Sequence, residues 1–211
     1  MTGTTIEERV YRNLLDCGVV KGARILVSYS GGPDSTALLH ILHKMKEELE
    51  YHLFAAYLDH GIRRRSELER EETVVRETAE GLKVELFIGR LPVGELDKIG
   101  RSEKRSIEDV AREKRYLFIE SVADKIRADH IALGHVEDDV LETIIMRVFQ
   151  GSGYAGLTGI PAVRGRIIRP LLNIGKEELN NFVRAHGFPC SVDSTNDQTQ
   201  YLRNRIRLNL M

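Results

Sequence analysis

The apolar run Ile25-Leu26-Val27 leads within a few residues into Ser30-Gly31-Gly32-Pro33-Asp34-Ser35, and a helical pattern follows directly. Such a run reads as a strand covered on both faces. Two adjacent glycines let the backbone turn sharply and come close to a ligand. A hydroxyl residue then opens a helix whose first N–H groups lack partners. Exposed amides and the positive end of a helix dipole form a phosphate site. Asp34 adds a carboxylate beside that anion, which calls for a cation such as Mg²⁺ between them. The plainer reading is a strand–turn–helix connection with Gly for geometry and Asp-Ser as a cap. The complete string in this setting favours phosphate. No Gly-Lys-Ser/Thr follows, so it is not a Walker A loop. The adjacent glycines, with no third glycine three residues on, exclude a dinucleotide fingerprint.

The rest of the chain repeats the strand–helix theme. Strands are expected at 24–28, 53–58, 84–88 and 130–133. Helices are expected at 6–15, 35–49, 67–81, 106–127, 136–150 and 176–186, the last capped by Gly187. On the long helix, Ile107, Val110, Ala111, Leu117, Val122 and Ile126 are the expected buried stripe. Residues 90–101, with Pro92, Gly94 and Gly100, read as a loop. Residues 151–159 read as irregular, and 163–169 as a short hairpin around Gly165. Alternating strands and helices imply an α/β fold with a doubly wound, parallel, Rossmann-like sheet. Ligands of such sheets bind beyond the carboxyl ends of the strands. Function is therefore expected at residues 30–35, at Asp59-His60-Gly61 and at Gly134-His135.

The 211 residues suit one medium domain, with 42% hydrophobic and 30% charged residues. No run approaches a membrane span, and residues 1–9 do not resemble a signal peptide. Cys17 and Cys190 are far apart and form no CxxC, which argues against a disulfide framework, a zinc site and a cysteine-ligated cluster. The cytoplasm is the expected compartment. A net charge of −1 leaves nucleic-acid contact to local patches.

A second constellation, Gly134-His135-Val136-Glu137-Asp138-Asp139-Val140-Leu141-Glu142-Thr143, follows the fourth strand. Asp139 and Glu142 share a helix face. Two carboxylates there can hold Mg²⁺ or grip the ammonium of an amine substrate. Acidic residues at a helix start also serve the dipole, and Asp138 can be a simple cap. His135 can polarise a phosphate, shuttle a proton or be structural. Arg63-Arg64-Arg65 is either a solvated face or a holder of phosphate or RNA backbone. Arg101, Lys104 and Arg105 form another basic cluster. Arg112 and Arg115 reach the cleft or decorate a surface.

The string Ser-Gly-Gly-x-Asp-Ser matches the PP-loop of the ATP pyrophosphatases, which cleave ATP between its α and β phosphates. Together SGGPDS, LDHGIR, EDVAREKRY, GHVEDDVLET, GSGYAGLTGI, RPLL and DSTND…RNRIR resemble the catalytic domain of the tRNA(Ile)-lysidine synthetases, from about Arg24 to Arg207. The resemblance implies an adenine nucleotide alpha hydrolase, or N-type ATP pyrophosphatase, fold. It implies a ligase that forms a C–N bond. ATP adenylates the carbonyl oxygen of the wobble cytidine of tRNA(Ile) with a CAU anticodon. Free L-lysine then displaces AMP to give lysidine. By the same resemblance Ser30, Gly31, Gly32, Pro33, Asp34 and Ser35 cradle the ATP phosphates, with Asp34 on Mg²⁺. Asp139 and Glu142 hold the lysine ammonium, Arg112 and Arg205 steady phosphate or the adenylated base, and His135 lies near the reacting centre.

Residues 1–190 are expected to form the catalytic domain. Residues 191–211 are expected to complete the site and lead towards tRNA-binding domains beyond Met211. A homodimer is compatible with this reading. Two positions depart from the family pattern: Val136 stands where a second His is usual, and Val140 where Gln or Leu is common. The rival readings are a tRNA thiolase of the same superfamily, a small-molecule synthetase and a non-catalytic ATP-binding module. The two lone cysteines weigh against the thiolase, and the RNRIR match against the small-molecule synthetase.

Overall fold

The computed structural model describes residues 5–62, 65–149, 151 and 158–191. Six strands form one sheet: β1 (Arg24–Ser28), β2 (His52–Asp59), β3 (Glu85–Arg90), β4 (His130–Ala132), β5 (Val163–Arg164) and β6 (Ile167–Ile168), in the order β3-β2-β1-β4-β6-β5. All neighbours are parallel except β5 with β6, which form the hairpin expected around Gly165. The α/β, mostly parallel architecture is therefore as the sequence implies.

Alternation along β1 sets the two layers. Ile25 and Val27 point one way and Leu26 the other, and all three are fully buried. The Ile25/Val27 face packs under α1 (Ile6–Asp16), α2 (Pro33–Met45), α3 (Arg65–Gly81) and α7 (Lys176–His186), through Val10, Leu14, Leu38, Val75, Leu179 and Val183. The Leu26 face packs under α5 (Ile107–Lys125), through Ile119, Val122, Ala123 and Ile126. With each sheet face covered by helices, the carboxyl ends of β1, β2 and β4 are free to build a site.

Three expectations need correction. Residues 95–103 are not loop but helix α4 (Glu95–Glu103). Leu96 and Gly100 are its buried positions, one helical turn apart. The glycines were misleading: Gly94 is the N-cap, and Gly100 sits where an added Cβ would lie 3.0 Å from the Arg105 carbonyl oxygen. On α5, Leu117 is 59% exposed while Ile119 is buried. The two lie roughly 200° apart around the helix, so only one can face the sheet. Helix α2 begins at Pro33 rather than at Ser35, with Gly32 as N-cap and no side chain capping it. Proline suits a first helical turn because its missing N–H costs nothing there.

Candidate active site

Beyond the ends of β1 and β4 lies a cavity of about 800 Å³. Its first wall is the turn into α2. Gly31 has φ +76°, and a Cβ there would lie 3.1 Å from Val75 Cγ2. A larger residue at this point is strained and crowded. The Ser35 hydroxyl accepts from the Ser30 amide at 3.2 Å and donates to the Gly32 carbonyl at 3.0 Å, which braces the turn from inside. The α2 N-terminus carries no side-chain cap and opens onto the cavity through Gly32, Pro33, Asp34 and Ser35. Such an end favours an anion.

Gly134 lets the second wall come close. A Cβ on it would lie 3.3 Å from both the Asp34 carbonyl carbon and the Ser35 amide nitrogen. The chain leaving β4 thus presses against the first turn of α2 and carries His135 into the cavity lining. Next comes α6 (Glu137–Phe149), from which Asp139 and Glu142 also line the cavity. The buried residue of α6 is Glu142, at 1% exposure, where an apolar residue is the rule. Asp139 accepts from the Val136 amide at 3.0 Å, so it steadies its own helix start as well as facing the cavity. Asp138 is a cap, but of another helix: its carboxylate accepts from the Lys176 amide at 2.8 Å at the start of α7. Val136 is fully buried in the core, so this position is structural here.

The third wall is α5, which contributes Arg112 and Arg115. Both cations meet the cavity. Arg105 instead pairs with Glu103 at 2.8 Å and Glu113 at 2.6 Å, and the cluster of Arg101, Lys104 and Arg105 stays out of the lining. His60, at the end of β2, lines the cavity, whereas Asp59 accepts from the Gly61 amide at 2.8 Å and shapes the turn. A smaller hollow of about 240 Å³ adjoins it, sharing Ser30, Gly32, His60 and Arg115 and floored by Ala56, Leu58 and Ile119.

Two contributors escaped the sequence reading. Lys176, the first residue of α7, places Nζ 3.3 Å from Asp34 Oδ2. A lysine at a helix N-terminus opposes the dipole, and that misfit was the available signal. Arg169 follows β6 and is 5% exposed; its Nε donates to His135 Nδ1 at 3.2 Å and its Nη1 to the Pro161 carbonyl at 2.7 Å. Its signal was a charge placed directly after the apolar pair Ile167-Ile168.

Burial pushes the His135 imidazole down to about 4. Asp139 opposes that shift, and the guanidinium groups of Arg169, Arg115 and Arg112 reinforce it. At neutral pH the ring is uncharged. Arg205, the DSTND…RNRIR segment, Arg63, Arg64 and most of the GSGYAGLTGI stretch lie outside the described residues. Among those described, no group of three or more His, Cys, Asp or Glu side chains could cage a metal. No described helix is long and apolar enough to cross a membrane.

An uncapped helix end on α2, two arginines on α5 and a buried carboxylate on α6 thus line one cavity. The chain matches the PP-loop domain family over residues 4–211 and belongs to it. It is 40% identical over 212 residues to the tRNA(Ile)-lysidine synthase of Symbiobacterium thermophilum, covering 97% of this chain and 42% of that protein. The like-named protein of Clostridioides difficile is 36% identical over 194 residues, covering 92% and 41%. The chain thus spans about two fifths of the length of these relatives. Among solved structures, the U34-tRNA thiolase NcsA from Methanococcus maripaludis with its [4Fe-4S] cluster superposes with a TM-score of 0.76 at 19% identity, over 95% of this chain and 69% of that one. The NH3-dependent NAD synthetase from Campylobacter jejuni does so with a TM-score of 0.56 at 14% identity, over 87% and 72%. At these identities the structures share the fold.

Proposed function

We propose that this chain is the catalytic core of a tRNA(Ile)-lysidine synthetase, a cytoplasmic ligase joining L-lysine to the wobble cytidine of tRNA(Ile) with a CAU anticodon. The observation that carries this reading is the meeting of two features in the lining of one cavity. The open N-terminus of α2 suits a triphosphate, and the buried Glu142 with Asp139 suits an ammonium group. A cavity of about 800 Å³ has room for a nucleotide and a second reactant.

In the first step the cytidine carbonyl oxygen bonds to the α phosphorus of ATP, the bond from that phosphorus to the bridging oxygen breaks, and pyrophosphate leaves. In the second, the lysine ε-ammonium loses a proton to solvent, the neutral ε-amine bonds to the activated ring carbon, AMP departs with the former carbonyl oxygen, and the nitrogen sheds a second proton to solvent. Residues 30–35 hold the phosphates. Arg112, and Arg205 from the C-terminal segment, offset the charge that builds on the transferred group. Asp139 and Glu142 fix the amine in the same cavity, which makes the second step effectively intramolecular. The smaller hollow, with its apolar floor, suits the nucleoside end of ATP.

Mg²⁺ fits this site through Asp34, because Mg²⁺ in nucleotide sites is held by one or two carboxylates plus substrate phosphates rather than by a protein cage. It would supply charge neutralisation on the departing pyrophosphate. Residues 191–211 are proposed to complete the site and lead towards tRNA-binding parts of the kind that a longer protein supplies.

The likeness to NcsA raises a thiolase reading. Cys17 is buried, Cys190 is half-buried and they form no CxxC, so the sulfur chemistry lacks its usual ligands. Incorporation of radiolabelled lysine into tRNA(Ile) with a CAU anticodon tests the proposal, with a full-length relative as control. Pyrophosphate release dependent on both tRNA and lysine is expected. ATP binding with no pyrophosphate from any tRNA would favour a non-catalytic module.

A further inference from the structure

We infer that Arg169 is a positioning residue that locks His135 as a neutral imidazole, protonated on Nε2 and acting as a hydrogen-bond donor to the reacting phosphate rather than as a general base. The inference deepens the proposed function and rests on it for the identity of the acceptor.

Parallel pairing of β4 with β6, with Ala132 opposite Ile168, brings the two strand ends side by side. The Leu133 amide donates to the Ile168 carbonyl at 3.0 Å, which extends that register towards His135 and Arg169. Arg169 Nε then lies 3.2 Å from His135 Nδ1. A guanidinium has only donors and stays charged in a protein. Nδ1 must therefore present its lone pair. A neutral imidazole carries one N–H, so the proton sits on Nε2.

Protonation of Nδ1 would aim an N–H at an N–H and set an imidazolium against a buried guanidinium. Arg169 cannot swing away cheaply. It is buried, and its Nη1 is tied to the Pro161 carbonyl at 2.7 Å. The other charged groups facing His135 are Asp139, which favours a cation, and Arg115 and Arg112, which oppose one. With Nδ1 occupied, the ring offers the cavity a donor and no acceptor. A phosphate oxygen is the complementary partner. Of the two roles open to His135 from sequence, polarising a phosphate and shuttling a proton, this geometry selects the first.

Long-range ¹H–¹⁵N correlation spectra of the imidazoles at pH 7 test the assignment, with His135 identified by its loss in His135→Gln. The expected signature is a protonated Nε2 and an unprotonated Nδ1. A protonated Nδ1 or a doubly protonated ring overturns the inference. Arg169→Lys retains a donor and should keep that tautomer; Arg169→Met should give a mixture. If the Met variant does not fold, the wild-type and Lys spectra still decide. Addition of Mg-ATP should shift the Hε2 resonance of the wild-type protein, and an unmoved resonance overturns the donor role. Pyrophosphate release should fall at least about tenfold in Arg169→Met and recover largely in Arg169→Lys, consistent with loss of one aligned donor. The tautomer is read without turnover. A correct tautomer with no lysine incorporation therefore rejects the ligase reading alone, and a wrong tautomer rejects the role of Arg169 alone.

Discussion

Lys176 Nζ stands 3.3 Å from Asp34 Oδ2, although 142 residues separate the two along the chain. The contact ties the first turn of α7 to the first turn of α2. Asp138 reinforces it by accepting from the Lys176 backbone amide, so α6 joins the same junction. Three helix N-termini thus meet at one cavity, and a lysine side chain sits among three ends that each favour an anion. This lysine pairs with Asp34 and lines the same cavity.

Lys176→Ala should therefore weaken use of ATP more than use of lysine. A loss of about 10- to 100-fold in kcat/KM for ATP is expected for removing one charge-assisted phosphate contact. Lys176→Arg should recover part of it. Steady-state pyrophosphate release against ATP concentration measures this, and an unchanged KM and kcat would remove Lys176 from the site.

Asp34→Ala should abolish pyrophosphate release while the circular dichroism spectrum and thermal midpoint stay close to wild type. The carboxylate is partly exposed and packs no apolar core, so its loss leaves the fold intact. Retained turnover would remove Asp34 from Mg²⁺ binding.

Glu142→Ala should raise the KM for lysine much more than that for ATP, by about tenfold or more for a lost buried charge-assisted contact. Isothermal titration of Mg-ATP and of lysine in parallel separates the two affinities. Equal loss of both would shift Glu142 from the ammonium to the metal.

Gly31→Ala should lower stability by about 1–3 kcal/mol and reduce Mg-ATP affinity. The left-handed φ of +76° costs roughly 1–2 kcal/mol for a residue with a Cβ, and the new methyl meets Val75 Cγ2 at 3.1 Å. Thermal shift with and without Mg-ATP reads both effects. A wild-type midpoint and a wild-type nucleotide shift would show that the turn is not strained.

Acid should destabilise the fold from about pH 6.5 downwards. Burial holds both His135 and His40 near 4, against an ordinary value of 6.5. His40 also stacks on Phe188 at 3.7 Å, and His43 and His186 reinforce its shift. The unfolded chain takes up these protons first, so stability is full above about pH 6.5, declines from there to about pH 4 and levels off below. Both rings are partly exposed, which limits the loss to on the order of 2–4 kcal/mol in total. Urea midpoints at pH 7.5, 5.5 and 4.5 should fall in that order, and His40→Phe should flatten part of the slope. Equal midpoints would show that neither ring is held neutral.

The strand, glycine turn and helix start around residues 30–35 were readable in the chain because they are contiguous. Strand, glycine turn and helix start follow one another within residues 24–36, and each part follows a local rule. The placement of Asp139 and Glu142 on one face of α6 was readable for the same reason. Helix α4 was not, because Gly94 and Gly100 act there through packing and capping rather than as breakers. Leu117 was misplaced because an apolar residue satisfies a coarse helical pattern from either side of α5.

Local order along the chain thus specified the strands, most of the helices and the composition of the turn between β1 and α2, since hydrophobic period and turn chemistry act over a few residues. The pairing of Lys176 with Asp34, the seating of Arg169 against His135 and the use of Asp138 to cap a distant helix were set by folding. Each depends on which strand ends and helix starts the sheet order brings together, and contacts made across more than thirty residues leave no periodic mark in the chain that makes them.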